Sequence, residues 1–326
     1  MRRSPPNIPH RGGVLAWASE TFNTGGAAGP SVGAVKCLQP SSLDAAERFV
    51  WLSGRLLDRH RFAHLFRGGD RAAVLAALRP YQNADGGFGN ALEPDLRGPA
   101  SQPQPVEVAL HVLDELEAFD DPMVGAACDY LTTITTAEGG VPFVLPIVRA
   151  HPHAFWWETG DDPPASLNPT AAIAGLLHRY GVRHPWLEPA TAYCWRQIDQ
   201  LQETGTYEMR CVLLFLDHVP DRGRAEAALE RVGPKLLEQG LVSLDPDAEG
   251  EAFSPLDYAP APGGVARRLF ADDVVDEHLD ALVDAQDEDG GWPVGWPVWT
   301  PATGPEWRSW ITIQALRRLR AYGRWA

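Results

Sequence analysis

The segment Leu78–Phe88, LRPYQNADGGF, decides how this chain is read, because it returns as Leu282–Trp292, LVDAQDEDGGW. In register, Leu78/Leu282, Gln82/Gln286, Asp85/Asp289, Gly86/Gly290, Gly87/Gly291 and Phe88/Trp292 coincide, giving L-x3-Q-x2-D-G-G-[FW]. Two copies of so constrained a pattern indicate a repeat architecture. Leu131, Thr135, Glu138, Gly139, Gly140 and Val141 form a degraded copy. A weaker copy, Ile198–Tyr207, keeps Gln202 and Gly205 without the paired glycines.

The flanks of each copy read as helices. Ser42 can cap a helix that carries Asp44 and Glu47 in its first turns and continues through Phe49, Leu52 and Leu56. Asp70–Leu78 is a second helix, and Val106, Leu110, Leu113 and Leu116 mark an amphipathic third. Asn168-Pro169-Thr170 places Asn at an N-cap and Pro at the first helical position, and Gly181 stops that helix. Ala225–Leu237 and Trp307–Tyr322 follow, the last with Arg317, Arg318 and Arg320 in its later turns. Strand signals are nearly absent. The unit is therefore helix, glycine turn, variable segment, helix. Stacked or ring-closed αα-hairpins result, and the irregular spacing favours a closed ring with insertions.

The repeat residues themselves do structural work. Paired glycines permit φ > 0 and a tight turn between antiparallel helices. The aromatic that follows can plug the gap between neighbouring pairs. The Gln amide can bond to a neighbouring helix N-terminus. None of this is chemistry, so the candidate site is sought elsewhere.

Composition narrows the function. The net charge is −15 and the chain has no basic stripe, which sets it against nucleic acid. Cys37, Cys128, Cys194 and Cys211 are scattered without a CxxC pair, as expected of buried thiols in a reducing cytoplasm. No apolar run reaches the ~18 residues of a membrane span, and the start lacks the apolar core of a signal peptide. Residues 1–42, rich in Pro, Gly, Ser and Asn, read as a disordered or loosely packed arm before one domain over 43–326.

The repeat resembles the QW repeat of the terpene cyclase and protein prenyltransferase superfamily, over about Leu43 to the C-terminus. That resemblance implies an all-α fold, an (α/α) toroid of about five to six helix pairs whose inner helices line a central apolar cavity. It also implies a prenyl chain or another small hydrophobic molecule as substrate. The family's chemistry is only partly matched. The D-x-D-D acid of class II terpene cyclases is missing; the nearest strings are Asp245-Pro-Asp247-Ala and Asp287-Glu-Asp289-Gly. The Asp-x-Cys zinc ligands of prenyltransferases are missing too, since Ala126, Ala192 and Met209 precede Cys128, Cys194 and Cys211 by two. Asp272, Asp273 and Asp276 match the D-D-x-x-D string that holds Mg²⁺ in class I terpene synthases, with Arg267 and Arg268 nearby. The same run suits the first turn of a helix, where acids are favoured by the dipole. No cofactor is therefore expected, with Mg²⁺ the one alternative.

In each clear copy the long insertion falls between the glycine turn and the next helix, so 89–105, 142–167 and 293–306 should share one rim of the ring. Glu93, Asp95 and Glu158 are the candidate catalytic acids there, because a partly buried carboxyl suits general acid–base work. Trp156, Trp157, Trp296, Trp299, Trp307 and Trp310 are the candidate substrate-binding faces for an apolar or cationic group. Two other functions fit the same residues. Paired acids with tryptophan platforms could serve a carbohydrate-active (α/α) barrel. The missing family motifs would also suit a non-catalytic binding or scaffold protein.

Overall fold

The computed structural model describes residues 35–248 and 250–325, which belong to one compact unit. The expected arm over residues 1–42 lies mostly outside the described residues. Its last part is packed: Leu38 is buried, and its N–H donates to the Arg324 carbonyl at 2.9 Å. Leu38 thus packs with the ring although it precedes residue 42.

Helices alternate between an outer and an inner layer. The outer ones are α1 (Pro40–Ser53), α3 (Arg71–Leu78), α5 (Pro122–Ile134), α7 (Leu187–Gln200), α9 (Arg222–Val232) and α12 (Asp272–Asp284). The inner ones are α2 (Leu56–Arg67), α4 (Pro103–Glu115), α6 (Leu167–Arg179), α8 (Thr206–His218), the short α11 (Pro255–Tyr258) and α13 (Thr303–Ala321). A single turn, α10 (Lys235–Glu238), follows α9. Inner neighbours pack in order, α4 on α6, α6 on α8, α8 on α11 and α13 on α2. Arg61–Glu115 ties α2 to α4, and Arg318–Asp257 ties α11 to α13, so the ring is closed. This is an (α/α) toroid of six helix pairs. Among the described residues only isolated β-bridges occur.

The repeat turns explain the closure. Gln82 donates through Nε2 to Gly86 O at 2.9 Å and to Met123 O, in the first turn of α5, at 3.0 Å. Gln286 does the same to Gly290 O at 2.9 Å and to Ser42 O, in the first turn of α1, at 2.8 Å. The amide meets carbonyls of the next outer helix, rather than the free amides expected from sequence. In the degraded copy Thr135 replaces Gln and accepts the Trp186 indole N–H at 2.8 Å, which keeps the link to α7. Gly86, Gly139 and Gly290 have φ of 87°, 93° and 95°. A Cβ on Gly86 or Gly290 would overlap the carbonyl oxygen of Ala126 or Ala45. The following glycines each lie under an aromatic four residues further along that outer helix, Tyr130, Tyr193 or Phe49.

Several sequence expectations shift. α1 begins at Pro40 after Gln39, so Ser42 sits inside the helix and contributes its carbonyl instead of a cap. Ala225–Leu237 is broken at Gly233-Pro234, where Pro removes a backbone donor. Gly205 precedes α8 with φ −100°, so the weak copy makes no left-handed turn. At α6, Asn168 has non-helical angles (φ −95°, ψ 113°) and regular helix begins at Pro169; the Ser166 hydroxyl accepts the Asn168 N–H at 3.2 Å.

Candidate functional site

The three long loops meet. Ala154 N donates to Asp95 O at 3.0 Å and Arg97 N to Pro152 O at 3.1 Å, joining the first loop to the second. Gln102 exchanges two hydrogen bonds with Leu145, of 3.2 and 2.7 Å. Arg97 pairs with Glu306 at 2.7 Å, and the Trp307 indole donates to Asp95 Oδ2 at 2.9 Å, joining the first loop to the start of α13.

Glu93 and Asp95 are brought together inside this junction. They are only 4% and 2% exposed, although they stand on a loop. The backbone that delivers them is unusual. Asn90 and Ala91, both non-glycine, take φ of 56° and 60°, a left-handed pair that stores strain beside the acids. Arg55, at the entry to α2, holds this pair by donating to the carbonyls of Ala91 at 3.1 Å and Leu92 at 2.9 Å. Its own orientation comes from Asp58, at 2.9 Å.

Three buried polar atoms here have no protein partner among the described residues: Glu93 Oε2, Asp95 Oδ1 and Arg55 Nη2. Such groups are rare in folded proteins and call for a water or a ligand. Burial pushes Glu93 well above the ordinary carboxylate range, and the negative charge of Asp95 adds to the effect. Burial raises Asp95 as well, opposed by the Trp307 indole, the Thr303 hydroxyl and Arg97. The Tyr81 phenol is raised by burial and feels Arg55, Asp58, Glu306 and Arg97. The result is a closed acidic pair in which burial favours the neutral form of Glu93 most strongly, while Trp307 donates to the Asp95 carboxylate.

The remaining candidates separate. Glu158 is exposed and pairs with His153 at 3.2 Å, so it stands apart from the acid pair. Trp296 meets Trp307 edge-on, with centroids 5.2 Å apart at 83°, and Trp307 is the one bonded to Asp95. Trp157 is buried and stacks on Phe143 at 4.8 Å, while Trp156 and Trp299 pack on the same small cluster with Leu96 and Val148. Those three hold the loops together. Trp310 lies deeper in α13, with the Arg61 guanidinium 3.9 Å from its ring centre. Arg55, Tyr81 and Thr303 were not singled out in the sequence; a lone Arg after Gly54, a Tyr inside the repeat and a Thr at a helix start carry no pattern.

The aspartate string does not form a shared site. Asp272 pairs with Arg267, Asp276 with Arg324 at 2.7 Å, and Asp273 Oδ1 accepts the N–H of Val274. Among the described residues no group of three or more His, Cys, Asp or Glu is placed to hold a metal. None of the helices there is long and apolar enough to cross a membrane.

No family model matches the sequence, and no curated protein matches it. Solved structures match in fold. A protein from Actinoplanes aligns over 87% of this chain and 99% of its own, at 16% identity and a TM-score of 0.54. The type II terpene cyclase MstE from Scytonema, in its apo form, aligns over 87% of this chain and 98% of its own, at 12% identity and a TM-score of 0.51. The fold is terpene-cyclase-like. A shared fold by itself leaves the reaction open.

Proposed function

We propose that the chain is a terpene-cyclase-like enzyme that protonates an alkene of a small isoprenoid at the Glu93–Asp95 pair. The observation that carries this reading is the pair itself: two carboxyls shut away from solvent, each with an oxygen that has no partner among the described residues, with Trp307 bonded to Asp95 and Trp296 packed on Trp307.

In this reading Asp95 is the proton donor, acting through Oδ1. The proton goes to one alkene carbon, the π electrons form the new C–H bond, and a carbocation remains. The Trp307 N–H on Oδ2 stabilises the carboxylate left behind, helped by the charge of Arg97. Glu93, whose proton burial makes harder to lose, neighbours that anion as a reserve of protons. The indole faces suit the cation, since an aromatic face attracts positive charge. Attack by a second alkene and loss of a proton would then give a product isomeric with the substrate. The burial of both acids supports this reading over a carbohydrate-active one, which needs an open groove.

The test is incubation of the full chain with farnesol, geranylgeraniol and squalene in deuterated buffer, read by mass spectrometry. The expected product is an isomer with one solvent deuterium at the former alkene carbon. Asp95→Asn should abolish it and Glu158→Ala should leave it intact. Turnover that survives both Asp95→Asn and Glu93→Gln, or product without deuterium, would overturn the proposal.

A further inference from the structure

Elsewhere on the ring, a groove of about 740 Å³ runs between the end of α6, one face of α7 and the start of α9. That volume falls within the range of small-molecule sites. We infer that it binds an amphipathic anion, a carboxylate or phosphate ester carried on a short apolar body.

The floor is apolar: Val182, Leu187, Ala192 and the Trp195 ring. Trp195 is held in place by the edge of Phe215, 5.2 Å away at 77°, and by the Arg224 guanidinium 4.3 Å from its ring centre. Around this floor stand three arginines and a single acid, Glu188. Arg224 is already offset by Asp199 at 2.6 Å. Arg196 spends one N–H on the Glu138 backbone carbonyl and has no carboxylate partner among the described residues. Exposed Arg183 likewise has no ion-pair partner there. A chain of net charge −15 therefore presents two uncompensated cations at one concavity.

The histidines in the groove do not supply this charge. The Thr191 hydroxyl donates to Leu187 O at 2.7 Å, so His178 donates to Thr191 through Nε2 at 2.8 Å, and burial lowers its pKa. The Trp186 N–H donates to His184 Nδ1 at 3.1 Å, which leaves Nε2 to donate to Asp129 at 3.1 Å. Attraction for an anion thus rests on the guanidinium forks, which match carboxylate and phosphate oxygens in pairs. An inorganic anion would use only the forks and a neutral lipid only the floor. The groove suits a ligand with both parts.

Calorimetric titration of the full chain with decanoate and decyl phosphate, each below its micelle concentration, tests this. Both anions should bind, and their relative affinities say whether carboxylate or phosphate is the better fit. Decanol, decylammonium and inorganic phosphate should each bind at least about tenfold more weakly, a difference of ~1.4 kcal/mol. Arg183→Ser alone, and Arg183→Glu with Arg196→Glu, should weaken decyl phosphate by about tenfold or more. Absence of binding by both anions overturns the inference. So does decanol or inorganic phosphate binding as tightly as decyl phosphate, or an affinity unmoved in folded variants.

Discussion

The carboxylate of Asp95 accepts the indole N–H of Trp307 at 2.9 Å, from the opposite end of the sequence. This bond favours the ionised form of an acid that burial pushes the other way. Trp307→Phe removes the donor and keeps an aromatic face. Asp95 should then stay protonated to a higher pH. Infrared titration of the acid C=O band reads this directly, and a band that titrates unchanged would separate Trp307 from the acid.

Glu93 gives a pH dependence of stability with a definite sign. Burial lifts its folded pKa well above the ordinary carboxylate range. Its contribution is therefore complete below the unfolded value, about pH 4, and is lost as pH rises through the folded value. Glu93→Gln escapes that loss. The variant should gain stability over the parent as pH rises above about 4 in urea unfolding, while losing any turnover that uses the acid.

Arg61 is fully buried between Asp58, at 2.9 Å, and Glu115, at 2.7 Å. Both carboxyls are burdened by burial, yet their pKa values are held below the ordinary range by Arg55 and Arg61 for Asp58 and by Arg61 for Glu115. Their contribution is present above about pH 4 and is lost as pH falls through the folded values. Arg61→Met leaves Asp58 with Arg55 alone and Glu115 with Arg317 and Gln314, and should destabilise by about 3 kcal/mol. Adding Glu115→Leu should restore part of that loss in urea unfolding.

Gly86→Ala combines a left-handed backbone with overlap of the Ala126 carbonyl, and should cost about 3 kcal/mol or more. Gly68, at φ 68°, has open space around its missing side chain. Gly68→Ala should therefore cost only about 1–2 kcal/mol, the price of the backbone alone. Thermal unfolding of the two variants side by side measures the difference.

Burial pushes the Cys128 thiol up to about 12 and raises Cys194 and Cys211 as well, while Cys37 is half-exposed. A thiol reagent should therefore modify Cys37 in the native protein and all four cysteines after denaturation. Rapid labelling of a second thiol in the native state would show that a helix pair opens.

The ring was legible because its signal is local. The spacing of Gln82, Asp85, Gly86 and Gly87, repeated at Gln286–Gly291, encodes a turn and the partner that turn must meet. The aromatic under each second glycine was less visible. Tyr130, Tyr193 and Phe49 belong to the next outer helix in the ring, and Phe49 precedes its turn by most of the chain. For the site, loop composition pointed to Glu93 and Asp95, and to Trp296 and Trp307. It could not separate them from Glu158 or from Trp156, Trp157 and Trp299, because exposure and packing are set by contacts between loops. Arg55 was invisible for the same reason: its role is to hold two carbonyls of a distant left-handed turn.

The bond from Gln286 to Ser42, with Leu38 paired to Arg324, makes the seam of the ring a meeting of its first and last helices. During synthesis α1 has no finished wall to pack against until α13 has emerged. The same geometry places the two ends of the packed chain side by side. A circular permutant, with residues 35 and 325 joined by a short linker and new termini opened in the exposed turn near Gln202 and Glu203, should therefore rebuild the same toroid.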